Sequence, residues 1–245
     1  MKTLNSVLMP ILATEEKGST NYMIAYYILK HADELQDATT SSLALACNVS
    51  KASISRFCKY IGLDDFYTLK HLIKTNQRIE APKIDGCKDL FSNFRYSLTQ
   101  LENNIKNHDL KQLISDIHES SHVVLMGTPD TFGPIISLQQ NLSTLGKIVT
   151  VCIQPQVQES CLLNAKKKDT IICFSQESDY LRQVITQPNR MSRPDKPTIY
   201  SITLKASTVP TYIDYTYELG LKSPFVFGVY TEVIYEEYRK YIKMN

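Results

Sequence analysis

The run Ser50-Lys51-Ala52-Ser53-Ile54-Ser55-Arg56-Phe57-Cys58-Lys59 joins hydroxyl, small and basic side chains to an apolar stripe at helical spacing. Ile54, Phe57, Cys58 and Ile61 fall at i, i+3, i+4 and i+7, which defines one face of a helix. The opposite side carries Ala52, Arg56 and Lys59, flanked by Ser55 and, at the helix start, by Ser50 and Lys51. These side chains suit a helix that enters a DNA major groove. Arginine forks onto guanine, small residues allow close approach, and lysine and serine reach phosphates. Residues 38–79 hold six Lys or Arg against two Asp, a local excess of four, whereas the whole chain carries a formal charge of only +2. Charge concentrated in this way is the electrostatic footprint of a nucleic-acid partner.

Such a helix must be held at a fixed angle, and the residues before it supply the means. Leu43, Leu45, Ala46 and Cys47 form the apolar set of a preceding short helix, with Thr40 at its start adding a hydroxyl to the DNA-facing set. Asn48 stands where a sharp turn wants a left-handed backbone, which asparagine adopts at lower cost than most residues carrying a Cβ. Ser50 caps the second helix, and Ala44 is small where two helices cross closely. Any amphipathic helix pair has a solvated face. Turn, cap, small crossing residue and basic face together describe a helix-turn-helix that binds double-stranded DNA. A supporting helix is expected over Ser19–His31, capped by Ser19 or Thr20, with Met23, Ile24, Tyr27 and Ile28 inward. Another is expected over Phe66–Gln77, with Leu69, Leu72 and Ile73 inward and Lys70, Lys74 and Arg78 outward.

At 245 residues and 43% hydrophobic content the chain has material for one large or two small domains. The apolar patch near Val7–Ala13 is interrupted by Pro10 and followed by Glu15 and Glu16, which spoils a secretory pattern. No apolar run approaches the roughly 20 residues that a membrane helix needs, so no membrane partner is expected. The six cysteines (Cys47, Cys58, Cys87, Cys152, Cys161 and Cys173) contain no C-x-x-C pair and mostly occupy apolar positions. That pattern fits reduced thiols in a cytoplasm, with no metal and no cofactor.

Pro82 and Gly86 break the helical periodicity, which sets domain boundaries at 1–79, a linker at 80–88 and a second domain at 89–245. Asp89–Asn107 reads as a long amphipathic helix and Leu110–Glu119 as a short one. Short apolar runs then alternate with helical segments: His122–Met126, Lys147–Cys152, Thr170–Phe174, Thr198–Thr203 and Tyr212–Leu219, with a closing helix over Phe225–Ile242. The expected fold is therefore an all-helical N-terminal domain followed by an α/β/α sandwich on a parallel five-stranded sheet. In such sheets ligands bind beyond the carboxyl ends of strands, where helix N-termini favour anions. Two loops qualify. Gly127-Thr128-Pro129-Asp130-Thr131 follows the first strand and Ser175-Gln176-Glu177-Ser178 the third, with Thr131, Ser175 and Ser178 as hydroxyl donors to a phosphate.

The segment Val49–Cys58, continued by Gly62-Leu63-Asp64-Asp65-Phe66 and Leu69-Lys70, resembles the RpiR family of bacterial transcription regulators. That family pairs an N-terminal helix-turn-helix with a C-terminal sugar isomerase (SIS) domain. Gly127 after a strand, Leu145-Gly146-Lys147 before the next, and Phe174-Ser175 with Ser178 look like SIS landmarks. The resemblance implies a sugar-phosphate effector pocket. Departures in both loops weaken the implication: Pro129 stands where the family's first loop has its second glycine, Asp130 and Thr131 stand for its serines, and in the second loop Cys173 and Gln176 stand where the family prefers Ser and Gly. Proline removes an N–H donor, and a carboxylate repels a phosphate dianion.

The leading expectation is a cytoplasmic transcription regulator, modulated by a phosphorylated sugar or related anion. One alternative is a constitutive regulator whose second domain only oligomerises. Another is a phosphosugar isomerase, which needs an acid and a base near the sugar carbons. His108, His118 and His122 lie before or at the first strand and are expected at the amino end of the sheet, leaving Glu177 and Glu232 as candidates by location only. No catalytic residue is assigned. A homo-oligomer, at least a dimer, is expected because one recognition helix covers few base pairs, with the Leu90, Phe94, Leu98 and Leu101 stripe and the terminal helix as interfaces.

Overall fold

The computed structural model describes residues 3–76, 87–220 and 225–244. Arg78 and linker positions 80–86 lie outside the described residues. The chain divides into two compact units, residues 1–81 with 154–156, and the remainder.

The first unit holds five helices: α1 (Leu4–Thr14), α2 (Thr20–Lys30), α3 (Thr40–Ala46), α4 (Lys51–Tyr60) and α5 (Phe66–Lys74). Each begins on a side chain that satisfies an otherwise orphaned N–H: Thr3, Ser19, Thr39, Ser50 and Asp65 in turn. Helix α1 was not expected from the interrupted apolar patch; Leu4, Val7, Leu8 and Ile11 are buried despite Pro10 in the helix interior. They join Ile24, Ala25 and Ile28 of α2, Leu43 and Ala44 of α3, Ile54, Phe57 and Cys58 of α4, and Leu69, Leu72 and Ile73 of α5 in one core. Full burial of each large apolar side chain contributes roughly 1.5–3 kcal/mol before the entropy cost of ordering it.

Two inward assignments are corrected. Met23 is exposed and Ala25 buried, because the inner line of α2 runs through Ile24 and Ile28. Leu45 is 83% exposed and Ala46 is also outward, so the inner side of α3 is Leu43, Ala44 and the partly buried Cys47. Helix α5 also stops three residues early, where the Thr75 hydroxyl donates back to the His71 carbonyl at 2.9 Å.

The second unit opens with α6 (Cys87–Ile105), which begins two residues before its expected start, and α7 (Leu110–Glu119). It continues with β1 (His122–Gly127), α8 (Phe132–Thr144), β2 (Val149–Cys152), α9 (Pro155–Asn164), β3 (Asp169–Glu177) and α10 (Tyr180–Val184). Strands β4 (Thr198–Lys205) and β5 (Tyr215–Glu218) and helix α11 (Val226–Met244) complete it. The five strands are parallel in the order β2-β1-β3-β4-β5. Alternate residues enter opposite cores. Val123, Leu125, Ile172, Phe174, Tyr200 and Ile202 pack beneath α7, α8 and α11. Val124, Met126, Ile171, Cys173 and Ile199 pack with Leu162 of α9 and Leu181 and Val184 of α10.

Three further expectations change. Strand β3 runs on through Glu177, pairing Ser175 with Thr203 and Glu177 with Lys205, so the second ligand loop is largely strand. Leu101 belongs to the core of its own unit, and Phe94 packs against Phe225 with ring centroids 4.6 Å apart. Among the described residues of α6, Phe91, Tyr96 and Leu98 are exposed, and the Leu90 side chain lies outside the description. His108 stands at the carboxyl end of the edge strand β5, because α6 ends there and α7 carries the chain back toward the start of β1. Its Nε2 lies 3.2 Å from the Glu218 carbonyl, its Nδ1 lies 2.8 Å from the Tyr230 hydroxyl, and its ring stacks on Tyr217. His122, by contrast, pairs with Asp169 at the amino end, as expected.

Asn48 has φ 53°, the left-handed geometry that Val49 uses to return its N–H to the Ala44 carbonyl at 2.9 Å. Replacing it by Gly should preserve stability, whereas the β-branched Val should cost about 1–2 kcal/mol; chemical denaturation of the full chain, followed by helical signal, checks this. Burial holds the His108 imidazole below its ordinary value of 6.5, opposed only in part by the Glu218 carbonyl. Below 6.5 the unfolded chain therefore binds more protons at this position than the folded one, and its contribution falls as pH drops from 7 toward 5.5. Denaturation midpoints should fall across that range, and less steeply in His108→Gln.

Candidate nucleic-acid interface and effector crevice

Within the first unit, α3 and α4 meet through Leu43 and Ala44 on one side and Ile54, Phe57 and Cys58 on the other, all buried. The turn between them is short because Asn48 takes the left-handed conformation and Ser50 starts the next helix at once. The Ser50 hydroxyl accepts the Ser53 N–H at 3.1 Å. Thr39 and Ser42 cap α3 reciprocally, each side chain accepting the other's backbone N–H at 2.8 and 3.1 Å. Each helix thus begins with one of its first-turn N–H groups held by its cap.

The face left outward on α4 consists of Lys51, Ala52, Ser55, Arg56, Lys59 and the aromatic Tyr60. The Arg56 guanidinium rests on the Ser53 hydroxyl at 3.3 Å, and Ser55 returns its hydroxyl to the Lys51 carbonyl at 3.3 Å. Both contacts are weak, exposed and local, so a stronger acceptor can displace them. Thr40 is half-buried at the first position of α3, and Ser50 is exposed at the α4 cap. Six of the seven residues expected to touch DNA lie together on α4 or at its cap.

In the second unit the strand order reverses between β1 and β3, the place where a doubly wound sheet opens a crevice at its carboxyl edge. Gly127 ends β1 there. A Cβ at this position would collide with the Phe174 carbonyl oxygen and with Thr131 Oγ1, so only glycine lets the loop pass so close to β3. Thr128 donates its N–H to Phe174 O at 3.1 Å, and Pro129–Thr131 form a single 3-10 turn leading into α8.

The three candidate hydroxyls are brought to this edge, buried, and engaged with the protein itself. Thr131 Oγ1 donates to Thr128 O at 2.7 Å and Ser175 Oγ to Glu177 O at 2.8 Å. Ser178 Oγ accepts the Ser207 N–H at 2.9 Å. Asp130 is exposed at the mouth and accepts a hydrogen bond from Gln176 Nε2 at 3.2 Å. Thr128 Oγ1 is buried and has no hydrogen-bond partner.

Two residues that sequence reasoning missed hold the crevice floor. Gln158 of α9, fully buried, directs its Nε2 to the carbonyls of Gly127, Cys152 and Ile153 at 2.9, 3.0 and 3.1 Å. Tyr180 of α10 donates to Gln158 Oε1 at 2.8 Å. A single glutamine on a helix of weak amphipathicity has no spacing signal that could have marked it.

The acid–base candidates do not converge. Glu177 is exposed at the end of β3, whereas Glu232 lies on α11 and accepts from Asn141 of α8 at 3.1 Å. His118 lies on α7 beside Tyr238. Among the described residues no group of three or more His, Cys, Asp or Glu could hold a metal ion, and no helix is long and apolar enough to cross a membrane.

Comparison with known proteins agrees with this geometry. Residues 13–78 match the model of the helix-turn-helix domain, rpiR family. Over 63 residues the chain is 41% identical to an uncharacterized HTH-type transcriptional regulator of Caldanaerobacter subterraneus subsp. tengcongensis. The match spans 26% of this chain and only 22% of that relative. Among solved structures, the Vibrio vulnificus NanR protein complexed with ManNAc-6P superposes over 99% of this chain and 96% of its own, with TM-score 0.50 and 14% identity. A Methanococcus jannaschii protein, inferred to be a 3-hexulose-6-phosphate isomerase, covers 63% of this chain and 92% of its own, with TM-score 0.51 and 16% identity. At such identities the likeness is one of fold. The chain therefore joins residues 13–78, which match the rpiR-family helix-turn-helix model, to an α/β sandwich similar in fold to these structures.

Proposed function

We propose that this protein is a DNA-binding transcription regulator that places α4 in the major groove. The observation that carries the reading is the division of that helix: Ile54, Phe57 and Cys58 are buried, while Lys51, Ala52, Ser55, Arg56 and Lys59 face outward beside a tight left-handed turn. Arg56 has the planar fork that reads guanine, Lys51, Lys59, Ser50 and Thr40 reach phosphates, and Ala52 and Ser55 permit close approach. A short recognition helix covers few base pairs, so the regulator acts as a homo-oligomer, at least a dimer, on two half-sites.

The second unit supplies the control. Its crevice between β1 and β3 takes a sugar phosphate or a related anion, with Thr131 and Ser175 turning their hydroxyls from backbone carbonyls, and Ser178 its hydroxyl from the Ser207 N–H, to the ligand. A ligand that prefers one placement of the two recognition helices shifts DNA affinity by that preference. NanR, bound to ManNAc-6P in the structure compared above, supports this class of effector by likeness of fold. A second reading is favoured by the engaged hydroxyls and by Asp130 at the mouth: the sandwich serves as an oligomerisation scaffold and the DNA domain acts constitutively.

Arg56→Ala should lose about 1–3 kcal/mol of discrimination at one base position. Lys51→Ala should weaken binding to all sequences and reduce the salt slope by about one. Gel shifts with the native upstream region, run across a salt series, test both; specific binding that survives the double replacement unchanged rules out α4 as the reader. For the effector, calorimetry across hexose, hexosamine and N-acetylated sugar phosphates should find one ligand that Ser175→Ala weakens and Asp130→Ser strengthens. Absence of binding by every member at millimolar concentration, with DNA affinity unmoved, selects the scaffold.

A further inference from the structure

Two thiols nine positions apart in sequence meet at the carboxyl end of β2. Cys152 is the last residue of that strand and is buried; Cys161 lies in the second turn of α9 and is half-buried. Their sulfurs are 2.7 Å apart. A disulfide needs about 2.05 Å, so bonding asks for a closure of less than about 1 Å. No third metal-ligating group joins the pair among the described residues, and the neighbours of Cys152 in the core are apolar, including Met126 and Leu162.

The two sulfurs share a proton unequally. The hydrogen bond between them, and then burial, hold the Cys152 thiol far above its usual range. The same hydrogen bond pulls Cys161 down toward neutrality against its own burial. Among the described residues Cys47, Cys58 and Cys173 have no such thiol partner, and burial raises them, the first two to about 11. Reactivity toward oxidants follows thiolate content and access, so it concentrates at the half-buried Cys161.

We propose that Cys152 and Cys161 form a peroxide-responsive modification site, closing reversibly to an intramolecular disulfide. The Cys161 thiolate attacks hydrogen peroxide; the O–O bond breaks, the departing hydroxide takes a proton and leaves as water, and Cys161 becomes a sulfenic acid. Cys152 sulfur then attacks the Cys161 sulfur, its proton leaves with the hydroxyl group as a second water, and the S–S bond forms. The two thiols lose two electrons, which reduce one peroxide. An external dithiol reverses the bond by exchange. The bond would tie α9 to β2 on either side of Gln158, whose amide holds the carbonyls of Gly127, Cys152 and Ile153, so it would lock the floor of the effector crevice.

Trypsin leaves both cysteines on the single peptide 148–166, between Lys147 and Lys166, which makes the bond directly readable. The reduced full-length chain is treated at pH 7 with a few equivalents of hydrogen peroxide, denatured, alkylated with iodoacetamide and digested. The expected peptide is lighter by two hydrogens and unalkylated at both positions, Cys47, Cys58 and Cys173 remain alkylated, and dithiothreitol before alkylation restores the starting pattern. Cys161→Ser should leave Cys152 reduced, and Cys152→Ser should stop at a sulfenic acid on Cys161 that dimedone traps. A wild-type peptide 148–166 alkylated at both cysteines, or carrying a sulfinic acid on Cys161 in place of the bond, overturns the proposal. The readout needs neither DNA nor effector and is independent of the regulatory reading.

Discussion

A parallel sheet must be covered on both faces, and in the second unit that single requirement decides where chemistry can occur. Strands β1, β3 and β4 bury alternate residues in opposite directions, so Val123 and Val124, or Ile171 and Ile172, enter different cores. Helices α7, α8 and α11 close one face, and α9 and α10 contribute to closing the other. The carboxyl edge, where β1 and β3 diverge, brings loops and a helix start together. Gly127 can end its strand within reach of Phe174 because it has no Cβ, and that close approach brings Thr131 against the neighbouring strand.

The same economy of burial gives α4 its outward face. Ile54, Phe57 and Cys58 are committed to the core of the first unit, and at 3.6 residues per turn their commitment leaves Ala52, Arg56 and Lys59 opposite. Asn48 and Ser50 keep the connection between α3 and α4 short. The outward basic face and the packing that gives stability are thus separated by side of the helix: replacements on the inner side act through packing, and replacements on the outer side leave the core intact.

The crevice is a harder electrostatic environment for a phosphate than a glycine-rich loop would be. Pro129 has no N–H to offer, Asp130 carries negative charge at the mouth, and the hydroxyls of Thr131, Ser175 and Ser178 already serve backbone partners. Each donor must be released before it can serve a ligand, and each release leaves a carbonyl or N–H to be satisfied elsewhere. Gln158 makes the floor rigid by serving three carbonyls from two strand ends with one amide nitrogen.

Local rules were legible in the sequence. The left-handed Asn48, the caps at Ser19 and Ser50, the inner stripe of α4 and the five strand cores follow from residue type and spacing over a few positions, because those features are settled by neighbours along the chain. What depends on distant partners was not legible. Leu45 has the apolarity of a core residue but sits on the wrong side of a two-turn helix whose inner side Leu43 and Ala44 already fill. Strand β3 continues past Phe174 because β4 offers a ladder as far as Lys205, and polar Ser175 and Gln176 carry no pattern announcing it. His108 reaches the carboxyl edge through the reversal between α6 and α7, which sequence order alone places on the other side. The meeting of Cys152 with Cys161 requires α9 to pack on β2, and no spacing motif encodes it. Periodicity decides which face of an element is buried; only packing decides what that face meets.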